Sequence, residues 1–265
     1  MTSARMDRLY WDRLAPAYDQ AVLSSIDADL SGIIARRLDE LAGRKKTALD
    51  LGCGVGKYLG PLADRFGQVV AVDHSDELLK IARRDYGHRS NVDIRMLDAV
   101  RGCPPAVVRA DVVVCANVLI MADEGLREAI LNTARKSMAP NGRLVLVVPS
   151  LESALLAHRR LVEWYRRDGS ADAETDAAAD GFPPSKRGCR EILRGIMRID
   201  EVPTKHYLAE ELGLVLQGAR LAIEHLDKVP YGWGSEFGDA PRWMREPYPW
   251  DWLVVAKRLT RPRSV

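Results

Sequence analysis

Thr47-Ala48-Leu49-Asp50-Leu51-Gly52-Cys53-Gly54-Val55-Gly56 is the stretch whose reading decides the fold. Thr47 to Leu51 reads as a short apolar strand, and Lys57 to Phe66 as a helix. A strand, a glycine loop and a helix in succession form a ligand-binding turn. Glycines let the backbone approach a ligand closely, and the helix N-terminus offers free N–H groups. Two nucleotide fingerprints fit badly. The dinucleotide pattern G-x-G-x-x-G requires glycine where Lys57 stands. A P-loop requires four residues between its glycines, then Lys-Ser/Thr; here three residues separate Gly52 from Gly56, and Tyr58 follows Lys57.

Outward from this loop the pattern alternates. Gln68 to Val72 reads as a strand, Asp76 to Tyr86 as a helix with Ser75 as N-cap, and Val92 to Leu97 as a strand. Asp111 to Ala116 is a strand apolar enough to be buried on both faces. Glu124 to Met138 is a helix closed by the turn Pro140-Asn141-Gly142, and Arg143 to Val148 is another apolar strand. Such alternation specifies an α/β fold, a doubly wound parallel sheet with helices on both faces and right-handed crossovers. Upstream, Ile26 to Leu41 carries helical spacing with Gly43 as its C-terminal cap, and Arg5 to Gln20 reads as short helical pieces. After Pro149 the rhythm breaks. Leu151 to Arg167 is a helix, Ser170 to Ser185 reads as a mobile loop, and shorter helices are expected near Arg190 to Met197 and Thr204 to Leu212. Gln217 to Asp227 and Trp252 to Arg258 read as strands.

An acidic residue followed by G-x-G-x-G resembles motif I of the class I S-adenosylmethionine (SAM)-dependent methyltransferases. Further matches stand at successive strand ends. Asp73 closes Val69-Val70-Ala71-Val72-Asp73, where the family holds an acid for the ribose hydroxyls; a carboxylate can accept two charge-assisted hydrogen bonds from a vicinal diol. Leu97-Asp98-Ala99 is similar to the adenine-binding step. Cys115-Ala116-Asn117-Val118-Leu119 falls where the family lines its methyl-transfer pocket. Tyr10-Trp11-Asp12-Arg13-Leu14-Ala15-Pro16-Ala17-Tyr18-Asp19 resembles a segment that many small-molecule members fold over the cofactor.

The resemblance implies a seven-stranded, mostly parallel, Rossmann-like sheet with an antiparallel last strand and a helical cap insertion. One domain would span residues 1–265, with a lid at 1–24 and a cap at 151–213. SAM would be the cofactor and S-adenosylhomocysteine the product. The implied cofactor-binding residues are Tyr18, Asp50, Gly52, Cys53, Gly54, Gly56, Asp73, His74, Asp98, Ala99 and Asn117. Asp50 either orders the loop or contacts the cofactor, and His74 either flanks the adenine or faces solvent. Cys53 is small enough to fit between glycines.

Methyl transfer from a sulfonium is an in-line displacement with a neutral thioether leaving group, so alignment and desolvation supply much of the rate enhancement. A base is needed more often for a hydroxyl acceptor than for an amine or thiolate. His206 is the candidate. The acceptor-pocket candidates are Trp11, Trp164, Tyr231, Trp233 and Glu236; the aromatic run from Val229 to Trp250 forms an apolar wall, a cage with Glu236 for a cationic amine, or a self-packed connection.

The chain has 265 residues, 47% of them hydrophobic, enough for one large α/β core. A formal charge of +2 offers no global basic field, so nucleic acid is not the expected partner, although a basic cluster runs from Lys257 to Arg263. Charges replace the apolar core of a signal peptide near the N-terminus, and the longest apolar stretch, near Val112 to Ala122, is too short to span a bilayer. A soluble cytoplasmic monomer or homodimer acting on a small molecule is expected. Cys53, Cys103, Cys115 and Cys189 form no C-x-x-C pair, and no metal site is implied. The rival readings are a tRNA or protein methyltransferase and a non-catalytic SAM-binding sensor or partner subunit.

Overall fold

The computed structural model describes residues 6–18, 22–102, 109–181, 186–199 and 202–259, with the side chains of 180, 181 and 186–189 left aside. Cys103, the Cys189 side chain, Asp19 and the basic residues beyond 259 lie outside the described residues. Seven strands form one sheet: β1 (Gly43–Leu51), β2 (Phe66–Asp73), β3 (Val92–Met96), β4 (Ala110–Ala116), β5 (Met138–Pro149), β8 (Leu221–Pro230) and β9 (Trp250–Arg258). Their order is β3-β2-β1-β4-β5-β9-β8. The pairings β1–β2, β2–β3, β1–β4 and β4–β5 are parallel, and β9 runs antiparallel between β5 and β8.

Alternate residues of each strand feed two cores. Leu49, Leu51, Val70, Val72, Val113 and Cys115 face α6 (Glu124–Ser137) and α10 (Ala209–Gly218) through Ile130, Leu131, Leu212 and Leu216. Ala48, Val69, Ala71, Val112 and Val114 face α3 (Ile33–Leu41), α4 (Leu59–Arg65) and α5 (Asp76–Tyr86) through Ile34, Leu38, Leu62 and Leu79. Burial on both faces explains the unbroken apolar runs of β2 and β4. Ser75 caps α5 as expected, its Oγ accepting from Leu78 N–H at 3.2 Å.

Chain order turns back at β1, which pairs with β2 on one side and β4 on the other. The crevice beyond the carboxyl end of such a strand is where open α/β sheets bind ligands, and the glycine loop occupies it.

Several local expectations are corrected. The helix read over Ile26 to Leu41 is two helices, α2 (Ser25–Ala28) and α3, parted where Asp29 Oδ2 accepts from Ile34 N–H at 2.9 Å. Gly43 opens β1 instead of capping α3. Part of the stretch read as a mobile loop is helix α8 (Ala173–Gly181), which buries Ala173 and Ala177 against Val162 of α7 (Leu151–Arg167). Residues read as helix near Arg190 to Met197 and Thr204 to Leu212 contain an antiparallel hairpin, β6 (Ile196–Ile199) with β7 (Val202–Lys205), after helix α9 (Lys186–Leu193). The expected Gln217–Asp227 strand starts later, because α10 runs to Gly218.

Candidate active site

The glycine loop is a folded turn held from β2. Gly52 and Cys53 both donate backbone hydrogen bonds to the Val72 carbonyl, at 2.7 and 3.0 Å, and Gly56 N–H closes the turn on the Cys53 carbonyl at 2.8 Å. Gly52 has φ 80° and Gly54 φ 54°, the left-handed region that favours glycine. A Cβ on Gly52 would stand 2.4 Å from Val118 Cγ2, and one on Gly54 would stand 3.0 Å from the Tyr18 hydroxyl.

Asp73 is the acid that orders this loop. Its Oδ2 accepts from Gly54 N–H at 3.0 Å and its Oδ1 from Ser75 N–H at 2.8 Å. Each oxygen retains a second lone pair. Burial raises its pKa against those two bonds. Asp50, 2% exposed, lies beside it, and its Oδ2 has no hydrogen-bond partner. Burial and then the neighbouring Asp73 charge push the Asp50 carboxyl up to about 7. Burial holds the Cys53 thiol protonated.

At the next strand ends, Asp98 Oδ1 accepts from Val100 N–H at 3.0 Å, its Oδ2 pairs with Arg101 at 3.2 Å, and the Ala99 carbonyl accepts from Thr133 Oγ1 at 2.8 Å. His74 Nε2 and Asn117 Oδ1 are buried without hydrogen-bond partners. Asn117, at φ 55°, is anchored by its N–H to the Val147 carbonyl at 2.9 Å.

The N-terminal segment lies on this half of the site. Helix α1 (Arg8–Leu14) docks through Asp12, whose Oδ1 accepts from Ser75 Oγ at 2.6 Å. Ala15 packs with Val55 and Leu78, alongside Trp11 and Tyr18.

A cavity of about 1550 Å³ adjoins the glycine loop. Its lining includes Trp11, Asn117, Trp164, His206, Tyr231 and Glu236. The glycines, Asp50, Cys53, Asp73, His74, Asp98 and Ala99 stand outside that lining, on the neighbouring crevice. Trp233 does not line the cavity either. It is 3% exposed, stacks on Phe237 at 5.6 Å and donates from Nε1 to the Arg245 carbonyl at 3.0 Å, so it packs the connection from within. His206 does not open a helix; it follows β7, and its N–H bonds the Gly195 carbonyl at 2.7 Å. Bonds from Lys205 N–H to Ile120 O and from Tyr207 N–H to Pro149 O lay this stretch across the ends of β4 and β5.

Residues 48–142 match the methyltransferase-domain family. The chain is 29% identical over 138 residues to a ubiquinone biosynthesis O-methyltransferase of Idiomarina loihiensis, covering 51% of this chain and 53% of the relative. It is 28% identical over 195 residues to a ribosomal RNA small subunit methyltransferase A of Rubrobacter xylanophilus, covering 65% and 72%. A solved complex of DhpI with S-adenosylhomocysteine has the same fold, with TM-score 0.58 and 18% identity over 96% of this chain and 95% of that one. Residues 48–142 thus carry a methyltransferase domain. The chain spans about half the length of the ubiquinone-type relatives.

One buried acid in the cavity lining carries no motif in the sequence. Asp251, 4% exposed, lies at the start of β9, opposite Pro149 and Val229. Burial and then the Glu236 charge push it up to about 7. Its signal was a lone acid inside Trp250-Asp251-Trp252-Leu253-Val254, flanked only by apolar residues. Glu236 accepts from the Tyr231 hydroxyl at 2.9 Å, and desolvation raises its pKa despite that bond. Burial lowers His206 to about 4. Its Nδ1 lies 3.2 Å from the Thr204 carbonyl, which only accepts, so Nδ1 carries the proton and Nε2 the lone pair.

Proposed function

We propose that this methyltransferase moves the methyl group of SAM to a small-molecule acceptor seated in the cavity. One observation carries the reading. Val118 packs over Gly52 of the cofactor loop while its neighbour Asn117 lines the cavity, so the two compartments share one wall at the end of β4. A donor on one side and an acceptor on the other meet there.

The residues present fit the cofactor. Asp73 keeps acceptor capacity for the ribose hydroxyls, Asp98 and Ala99 stand at the adenine step, and Tyr18 covers Gly54 near the methionine end. Asp50 and Asn117 offer buried oxygens without partners, and His74 a buried nitrogen. SAM, when bound, supplies an electrophilic methyl group on a sulfonium with a neutral thioether as leaving group.

The chain's own part is alignment and exclusion of water, for which residues 1–24 act as lid and 151–213 as cap within a single domain. His206 presents a proton-free Nε2 to the cavity, available to take a proton from an acceptor. A concave cavity lined largely by apolar and aromatic side chains suits a small molecule better than a nucleic acid. Among the described residues no helix is long and apolar enough to cross a membrane; we read the protein as cytoplasmic.

Calorimetric titration with SAM and S-adenosylhomocysteine, with NAD and ATP as controls, tests the reading. Micromolar binding of the first pair alone is expected; binding of a control instead would sink it.

A further inference from the structure

We propose that the acceptor is a cationic amine whose ammonium is held by the carboxylates of Asp251 and Glu236 and whose apolar body lies against the aromatic cavity wall. This rests on the reading that the cavity holds the acceptor.

Asp251 is the starting observation. It lines the cavity, is 4% exposed, and has no hydrogen bond or ion pair from its carboxylate among the described residues. A buried carboxylate in that position carries a desolvation penalty that nothing in the protein offsets. Such a group persists in a binding site when the ligand supplies the partner.

Glu236 compounds the imbalance. It lines the same cavity, couples electrostatically to Asp251, and receives only a neutral phenol hydrogen bond, from Tyr231. The two strong bases in the lining are committed elsewhere, Lys57 to Asp27 at 3.5 Å and Arg198 to Glu191 at 3.3 Å. Burial lowers the basicity of both cavity histidines, His158 and His206, and His206 is neutral near pH 7. Asn117 adds a further buried oxygen without a partner. The site therefore presents acceptors to a ligand that must bring donors and positive charge.

Tyr10, Trp11, Trp164 and Phe237 supply ring surface to the same cavity. Faces of such rings attract cations and cover apolar substituents.

An ammonium has no free lone pair. The amine must pass from R–NH3+ to R–NH2 before it can act as a nucleophile, and the Asp251 carboxylate takes that proton to become a neutral carboxylic acid. Burial, which pushes Asp251 up to about 7, makes the acid form accessible near neutrality.

The test is calorimetry on the full chain, with and without saturating S-adenosylhomocysteine, using charge-matched probes: phenethylamine, phenethyl alcohol and 3-phenylpropionate, and hexylamine with hexanol. At least one amine is expected to bind tenfold or more tightly than its alcohol. Asp251→Asn and Glu236→Gln are each expected to cut that preference below threefold while S-adenosylhomocysteine still binds as in the wild type. Alcohol or carboxylate binding as tightly as amine, no amine binding at all, or an undiminished preference in both variants would overturn the proposal. Failure of the wild type to bind S-adenosylhomocysteine would instead overturn the wider reading, and the arm without it still reads the amine preference.

Discussion

The carboxylate of Asp73 and the backbone N–H of Gly54 lie 3.0 Å apart, and that bond ties the second strand to the cofactor loop after the first. Sequence position alone leaves open whether Asp50 or Asp73 orders the loop. Asp50 has a buried oxygen with no partner, whereas Asp73 holds two backbone donors. Asp73→Ala leaves the Gly54 and Ser75 N–H groups buried without acceptors, at about 1–3 kcal/mol each. We expect a lower melting temperature and at least a tenfold weaker titration with S-adenosylhomocysteine. Unchanged affinity would remove Asp73 from the ribose site.

Gly52→Ala meets two separate obstacles, a φ of 80° and a contact of 2.4 Å with Val118 Cγ2. Left-handed backbone costs about 1–2 kcal/mol and overpacking about 1–3 kcal/mol. Adding Val118→Ala should restore the packing part and leave the backbone part. Denaturant unfolding of the single and double variants separates them, and full recovery in the double variant would contradict the backbone contribution.

Asp251 sets a pH dependence of stability. Its folded pKa of about 7 lies above the ordinary value of 3.8, so the folded state holds a proton that the unfolded chain releases. Stability from this group is intact below pH 3.8 and falls as pH rises toward 7. Glu236, its electrostatic neighbour, is shifted the same way. Asp251→Asn is expected to raise stability at pH 8 by at most roughly 4 kcal/mol, at about 1.36 kcal/mol for each pKa unit, and to leave it little changed at pH 4. Melting curves at the two pH values check this; equal effects at both would refute it.

His206 has the opposite sign. Its folded pKa of about 4 lies below 6.5, so the unfolded chain binds the proton first and stability falls as pH drops from 6.5 toward 4. His206→Gln should flatten that slope. Activity between pH 5.5 and 7.5 should likewise show no acid limb from this imidazole, which a rate profile of the wild type against His206→Gln will reveal.

Asp12 is one anchor of the proposed N-terminal lid, beside the packing of Ala15 on Val55 and Leu78. Removing it with Asp12→Ala frees α1 from Ser75, a bond of 2.6 Å. We expect roughly threefold to tenfold weaker S-adenosylhomocysteine binding, the effect of about 1 kcal/mol. Tyr18→Phe and removal of residues 1–20 test the same segment; turnover unaffected by both would end the lid assignment.

The parallel half was legible because its central strands β2 and β4 are apolar runs buried on both faces, and Asp73, Asp98 and Asn117 follow from strand ends. Segment 170–205 was not. Ala173 and Ala177 form a helix because small side chains fit against Val162, a tertiary cause that an Ala/Asp-rich composition conceals. The hairpin of β6 and β7 has strands of four residues, and Pro203 within one masks its strand character. Asp251 escaped notice because a single acid in a strand carries no motif; only its placement on the cavity singles it out.

The reversal of β9 has a consequence for how such an enzyme diversifies. Because β9 runs against its neighbours, its first residues arrive at the sheet edge where the parallel strands finish. The connection from Tyr231 to Pro249 is closed at its neck by Tyr231 N–H on the Pro249 carbonyl at 3.0 Å and by the pairing of Pro230 with Trp250. Lengthening or rewriting residues inside that neck is therefore expected to leave the donor half undisturbed, which titration of a loop variant with S-adenosylhomocysteine checks. If the cavity holds the acceptor, as proposed, acceptor choice becomes a property of a loop whose two ends are stitched to the sheet.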